Sequence, residues 1–370
     1  MHRNPAREPP APIPVSVVTG FLGSGKTSLL NAMLHDGALA DAVMIINEFG
    51  EIGIDHVLVE TADEDIVEMA SGCLCCTIRG DLINRLEDLL RRRDNGRIRP
   101  FTRVVIETTG LADPAPVLHT IMNHPYLVLR YRLDGVIAVV DAVNGQSTLD
   151  AHAEAVKQVA VADRLVLTKT DLLDGDGDPR LAAIRRRLAA LNPAAPLLDV
   201  RRGEAVPARL LDAGLYDPET RSPDVARWLR DEAYGDHDHA HGHAHDVNRH
   251  DDHIRAFSVV SDEAIGIDGF NLFLELLASY HGPNLLRLKG IVKLAEQPDR
   301  PVVVHAVQHV FHPPVELDAW PDDDRRTRLV FITRDMDRNE VAGLLQAFTG
   351  RLSLDPRVFS ADDTLSLRNG

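Results

Sequence analysis

Three cysteines, Cys73, Cys75 and Cys76, stand within the pentapeptide "GCLCC" and are the only ones in the 370-residue chain. Thiolates are soft ligands that suit Zn²⁺ and compete well for other late first-row ions, and a local cluster supplies several at once. In an extended strand Cys75 and Cys76 would face opposite sides, so convergence of all three needs a turn, which Gly72 eases. Three thiolates leave one tetrahedral position open, and an open position suits transfer better than storage. Its occupant is left open between a water, a partner protein's side chain and Glu48 of "NEFGE". Thiols also serve as small buried hydrophobes or in redox chemistry. Near-adjacent cysteines in a loop beside Gly72 argue against the first use. The missing thioredoxin-like context argues against the second.

A second chemistry begins at "IPVSVVTG", a buried strand that runs into "GFLGSGKTSLLNAML", a glycine-rich turn and helix. Gly20, Gly25, Lys26 and Thr27 satisfy the G-x-x-x-x-G-K-[ST] spacing of a phosphate-binding loop, and Gly23, Ser24 and Ser28 belong to the same run. The glycines let backbone N–H groups point at phosphate oxygens, Lys26 brings charge to the β- and γ-phosphates, and the Thr27 hydroxyl is a ligand for Mg²⁺.

A phosphate loop of this kind needs an acidic strand end, and "FTRVVIETTGLADP" offers Glu107 to hold Mg²⁺ through a water and Gly110 to approach the γ-phosphate. A base-reading segment follows in "ADRLVLTKTDLLD", with Thr168, Lys169 and Asp171. Only a carboxylate accepts from both guanine N1–H and N2–H₂, a donor pair adenine lacks, so Asp171 argues for GTP over ATP.

These residues resemble the CobW-type P-loop GTPases, a group of metal-chaperone-like proteins serving zinc, cobalt or nickel-related processes. The matching pieces are "GFLGSGKTSLL", "INEFGEIGID", "GCLCC", "IETTGLADP", "DGVIAVVDA" and "TKTDLL", together spanning residues 15 to 173, with the C-x-C-C element the most specific. "NLLRLKGIVKL" and "PVVVHAVQHVF" look like the family's smaller C-terminal domain. Many GTPases have Asn where this chain has Thr168, which shifts base selectivity onto Lys169 and Asp171. The resemblance implies a GTP-hydrolysing metallochaperone, with GTP and GDP as substrate and product, Mg²⁺, and Zn²⁺ ahead of Co²⁺ or Ni²⁺ as cargo for a client metalloprotein. "NEFGEIGID" would be its first switch and "ETTGLADP" its second, with the cysteines between them in sequence. Two other readings stand beside it: a non-enzymatic metal buffer with a vestigial nucleotide site, and a P-loop ATPase with an incidental metal site. Neither the water-positioning residue nor the oligomeric state is read from the sequence.

Farther on, "YGDHDHAHGHAHDVNRHDDH" alternates His with Asp and cannot build a core. Its imidazoles at His237, His239, His241, His243 and His245 suit loose, heterogeneous metal binding. His305 and His309 read instead as ordinary β-sheet residues.

The elements that must position these groups follow from the pattern. Composition is that of a soluble globular protein, 44% hydrophobic and 26% charged. Its formal charge of -16 argues against nucleic acid as a partner. No apolar run approaches the ~20 residues of a membrane span, the opening lacks a signal-peptide core, and clustered rather than paired cysteines point to a reducing cytoplasm. Strand, loop and amphipathic helix alternate through about residue 234. That predicts an α/β P-loop NTPase domain, its mainly parallel sheet covered on both faces, over 15–234. A disordered lead (1–14), a His-rich linker (235–253), an α+β C-terminal domain (254–350) and a tail (351–370) complete the expected organisation; in that domain "IRAFSVV", "LLRLKGIVKL", "PVVVHAVQHVF" and "TRLVFIT" read as strands, with the helices "IDGFNLFLELLASY" and "NEVAGLLQAF" on one face of their sheet.

Overall fold

The computed structural model describes residues 11–47, 66–69, 76–211 and 253–349. The first domain is a seven-stranded sheet of β1 (Ile13–Thr19), β2 (Ala42–Asn47), β3 (Ile66–Met69), β4 (Arg103–Glu107), β5 (Tyr131–Asp141), β6 (Arg164–Thr168) and β7 (Leu197–Asp199). Its order is β3-β2-β4-β1-β5-β6-β7, and every pairing is parallel. Helices α1 (Lys26–His35), α2 (Cys76–Asp94), α3 (Ala115–Asn123), α4 (Leu127–Arg130), α5 (Gly145–Ala151), α6 (Ala153–Val161), α7 (Pro179–Leu191) and α8 (Pro207–Leu210) accompany it.

Parallel strands buried on both faces read as continuous apolar runs, and successive side chains serve opposite layers. Val15 and Val17 of β1 join Leu86 of α2 and Leu118 of α3 on one face, whereas Val18 joins Leu29, Leu30 and Met33 of α1 on the other. The first strand begins at Ile13, the first residue of "IPVSVVTG" and two residues inside the expected 1–14 lead, and β3 is a short strand the sequence pattern did not mark.

The named strands of the second domain all pair antiparallel: β8 (Ile254–Ser261), β9 (Leu285–Val292), β10 (Val302–Val307), β11 (Val310–Phe311), β12 (Val315–Glu316) and β13 (Thr327–Arg334). Helices α9 (Ile267–His281) and α10 (Arg338–Thr349) cover one face, where Phe270, Phe273, Leu277 and Leu345 meet Phe257, Leu288 and Phe331. Residues of the other face complete the cores of the first domain: Ile254, Leu286 and Ile332 pack with helix residues of α6 and α7, and Val307 and Val310 with those of α3. "PVVVHAVQHVF" is therefore not one strand. Gln308, at φ 54, turns the chain between β10 and β11. His309 lies in that turn, where its ring meets His119 of α3 edge-on at 4.5 Å between centroids, and only His305 is a strand residue.

A buried ionic knot fixes the two domains. Asp163, just before β6, accepts from Arg287 and Lys289 of β9, and Arg287 also donates to the carbonyl of Val161 at the end of α6. Burial alone would raise the Asp163 carboxyl, but Arg287 and Lys289 outweigh it and hold it well below the usual carboxylate range. Burial also pulls Lys289 down to about 8, against the opposing pull of Asp163. Removing one partner of such a pair leaves a buried charge uncompensated, at a cost of about 3–5 kcal/mol.

Candidate nucleotide site

The glycines of the phosphate loop are there because nothing larger fits. Gly20 has φ 141, and a Cβ on it would lie 2.3 Å from the Val139 carbonyl oxygen and 2.8 Å from Ser24 Oγ. Gly25, at φ 95, is the N-cap of α1, and no side chain caps that helix. The first turn of α1 therefore keeps its amides for an anion, and the helix dipole adds to their pull. Lys26 Nζ donates to the carbonyls of Gly20 at 2.9 Å and Phe21 at 3.3 Å, which places the ammonium inside the arc of the loop.

The register of β1 on β4 pairs Val18 with Glu107 and so brings the acidic strand end beside the loop. Thr27 Oγ1 lies 3.5 Å from Glu107 Oε1 across 80 residues of sequence. Two hard oxygens at that separation match the donor chemistry of Mg²⁺, so Thr27 and Glu107 are the residues that would hold it. Thr108 Oγ1 donates to Thr19 Oγ1 at 2.8 Å and its N–H to the Val18 carbonyl, locking the strand ends together. Beyond it, Gly110 touches the phosphate loop: a Cβ there would meet Leu22 N at 2.5 Å and Leu22 Cα at 2.7 Å. Ser24 Oγ and Thr109 Oγ1 are buried without a hydrogen-bond partner among the described residues.

Thr168, expected beside the base, is buried and donates to the carbonyls of Ser24 at 2.6 Å and Val140 at 3.2 Å. It braces the phosphate loop against the sheet, with its methyl group 3.4 Å from where a Gly25 Cβ would stand. Lys169, at φ 57, donates to Asp141 at 2.7 Å. Burial would raise the Asp141 carboxyl, but Lys169 and Asn144 more than offset it and the group lies below its ordinary range. Asp171 is exposed in the 3-10 turn Thr170–Leu172, and Ser28 is exposed on α1. The turn is held by Thr170 Oγ1, which donates to Asp199 at 2.7 Å, and Asp199 also organises the following loop through the Arg201 N–H. Asp141, Asp199 and Gln158 are site-shaping residues that motif spacing does not reveal. The strand-end Asp of "DGVIAVVDA" is the one sequence signal, and its partner is apparent only in the fold. A cavity of about 270 Å³ adjoins the loop on its β5 side, walled by Gly20 to Ser24, Asp141, Gln158 and Lys169 among others, and Thr27 and Glu107 are not part of it.

For the metal-binding expectation, Cys76 opens α2, whereas Cys73, Cys75, Glu48 and His237 to His245 lie outside the described residues. Among the described residues no three His, Cys, Asp or Glu side chains converge as a metal site. The frame around the cysteines is nonetheless set. β3 ends at Met69 and α2 begins at Cys76, and in a parallel sheet the carboxyl end of β3 lies at the same edge as those of β1 and β4. Three strand spacings separate β3 from β1, about 14 Å at ~4.8 Å each.

Residues 14–199 match the CobW/HypB/UreG nucleotide-binding domain, and residues 254–349 the cobalamin synthesis protein cobW C-terminal domain. The chain belongs to the CobW/HypB/UreG family. Among curated relatives, the zinc chaperone YjiA of Escherichia coli is 33% identical over 340 residues, 92% of this chain and 98% of YjiA. The zinc chaperone CobW of a Sinorhizobium species is 31% identical, over 92% of this chain and 99% of that protein. Zn(II)-bound YjiA GTPase superposes with a TM-score of 0.67 at 26% identity, covering 92% of this chain and all of that one. A Zn(II)-bound triple mutant of YjiA, with one glutamate and two cysteines replaced by alanine, gives 0.64. The family assignment agrees with the phosphate loop, the Glu107 strand end and the two-domain order derived above, and with an N-terminal P-loop fold followed by a separate antiparallel domain.

Proposed function

We propose that this chain hydrolyses GTP and uses the nucleotide state to bind and release a divalent transition metal, zinc first, at Cys73, Cys75 and Cys76, for delivery to a client metalloprotein in the cytoplasm. The observation that carries the reading is the convergence of Lys26, Thr27 and Glu107 at the sheet edge where β3 ends and Cys76 begins the next helix. In the reaction a water attacks the γ-phosphorus, the bond to the β,γ-bridging oxygen breaks, and GDP and phosphate leave. Lys26 and the amides of the loop and first turn of α1 meet the charge that gathers on the phosphate oxygens. Mg²⁺, when bound, neutralises part of the same charge. Gly110 lets the following loop approach the γ-phosphate, so this loop can adopt different positions in the GTP and GDP states. Coupling to metal requires that the thiolate site bind zinc with different affinity in the two states.

The test is zinc competition against a chromophoric chelator, with a non-hydrolysable GTP analogue, GDP or no nucleotide, and with phosphate release measured in parallel. Three proteins are compared: wild type, the triple Cys73, Cys75 and Cys76→Ser variant, and a deletion of His237 to His245. Wild type and the deletion should show one tight, nucleotide-sensitive zinc per chain, and the Cys variant should lack it. The YjiA triple mutant that is still Zn(II)-bound shows why both arms are needed. A tight, nucleotide-sensitive zinc that survives loss of the thiols would refute the assignment.

A further inference from the structure

The loop after Glu107 is tied to the second domain at one residue. Asp113 Oδ1 accepts from the Ala115 N–H at 3.0 Å and so starts α3, while Asp113 Oδ2 accepts from Lys157 Nζ of α6 at 3.0 Å and from Gln308 Nε2 at 3.4 Å. Gln308 is the left-handed residue of the β10–β11 turn, and its own N–H is held by the Leu286 carbonyl of β9. Next to Lys157, Gln158 donates to the carbonyls of Gly110 at 3.2 Å and Ala112 at 3.0 Å. One turn farther along α3, His119 Nε2 lies 3.1 Å from the Val307 carbonyl. The loop whose start touches Leu22 of the phosphate loop thus ends on the second domain, with no intervening element.

We infer that Gln308 is a positioning residue for hydrolysis: with Lys157 of the first domain holding the same carboxylate, it sets through Asp113 the loop that contains Gly110, so the C-terminal domain governs turnover. This rests on the GTPase reading above. A γ-phosphate that draws Gly110 toward it must pull on Asp113, six residues from the Mg²⁺-holding Glu107, and the pull is felt by the β10–β11 turn. Conversely, anything that shifts that turn, such as a client docked on the second domain, repositions the loop at the phosphate.

The test is a series at Gln308. Gln308→Lys keeps a donor of similar reach for Asp113, Gln308→Ala removes it, and Gln308→Glu keeps the size but sets a second carboxylate beside Asp113. If donor chemistry matters, kcat should follow Gln ≈ Lys > Ala > Glu, with the Glu variant down by roughly tenfold, the effect of about 1.4 kcal/mol on a barrier. KM for GTP and affinity for GDP should change little. A residue that only fills space would give Glu close to wild type and Ala the lowest. Amide hydrogen exchange of the nucleotide-free full chain supplies a readout independent of turnover. Peptides covering 108–118 should exchange faster in the Ala and Glu variants and not in the Lys variant. Wild-type protein that fails to hydrolyse GTP would defeat the GTPase reading and leave this exchange result to decide the loop's tether. Unchanged exchange over 108–118 in the Gln308→Glu variant, or a size-ordered kcat series, would overturn the inference.

Discussion

Gly110→Ala tests the contact on which the site's geometry turns. The residue's φ lies outside the left-handed region, so an alanine is conformationally acceptable there and the only obstacle is space. The added methyl carbon would stand 2.5 Å from Leu22 N and 2.7 Å from Leu22 Cα, both backbone atoms that cannot rotate away. Restoring an ordinary contact near 3.5 Å requires the two loops to part by on the order of 1 Å. Glu107 and Thr108 are anchored to β1, so the displacement falls on Gly110 to Asp113 or on the phosphate loop itself. A shift of about 1 Å in a positioned group is expected to lower kcat by roughly 100-fold. The diphosphate cradle at Gly23 to Thr27 is not the part displaced in the first case, so GDP affinity should stay within about threefold, since only interactions made to the reacting centre are lost. Overpacking at this buried position should cost the fold about 1–3 kcal/mol, less than a domain's usual stability, so the protein remains folded. Phosphate release under saturating GTP, fluorescent GDP titration and thermal denaturation measure the three quantities. Wild-type kcat in a folded Gly110→Ala protein would show that the two loops need not touch for hydrolysis. Equal losses in kcat and GDP affinity would show that the phosphate loop, not the Gly110 loop, gives way.

Lys26→Ala should abolish measurable GTP turnover and, because it also removes the donor to the Gly20 and Phe21 carbonyls, cost about 1–3 kcal/mol in chemical denaturation; equal turnover would sink the phosphate-loop assignment. Asp171→Asn should weaken guanine nucleotides and favour xanthine nucleotides in competition with labelled GDP, because an amide cannot accept from both guanine donors; ATP outcompeting GTP on the wild type would defeat the base assignment. Thr168→Val keeps the shape but removes the donor to Ser24 and Val140, leaving two buried carbonyl contacts unmade. It should cost about 1–3 kcal/mol in chemical denaturation and weaken GTP and GDP alike, whereas a change confined to base selectivity would mean the residue reads the base after all. The domain interface should weaken in mild acid. His305 is buried, and burial, reinforced by Arg287 and Lys289 from β9 against the opposing Asp163, holds its pKa well below the ordinary value, with His312 lowered by burial beside it. A histidine kept neutral by the fold contributes stability that is complete above the unfolded pKa near 6.5 and is lost as pH falls below it. From pH 7.5 to 5.5 the full chain should lose on the order of 1 kcal/mol, less so as His305→Phe, and coincident denaturation midpoints for wild type would refute this.

The sequence by itself determined the chemistry that depends on spacing along one segment. G-x-x-x-x-G-K-[ST] and the strand before it specify an anion cradle because adjacent backbone amides and the next helix's first turn build it locally. The apolar runs likewise specified a parallel sheet and, after the His-rich stretch, most of the second domain's elements. Tertiary structure alone decided which distant groups meet. That Glu107 reaches Thr27 depends on β1 pairing with β4 across the β2 crossover. That Thr168 braces Ser24 depends on its burial at the end of β6. β3 escaped notice because four residues carry too little periodicity to separate a strand from a loop. "PVVVHAVQHVF" read as one strand because alternation does not register a residue that takes φ 54. Asp113, Lys157 and Gln308 fall in three segments with no shared motif, and Asp163 finds Arg287 and Lys289 more than a hundred residues away. Pairings of that kind are set by how two sheets and the helices between them pack, and local sequence carries no trace of them.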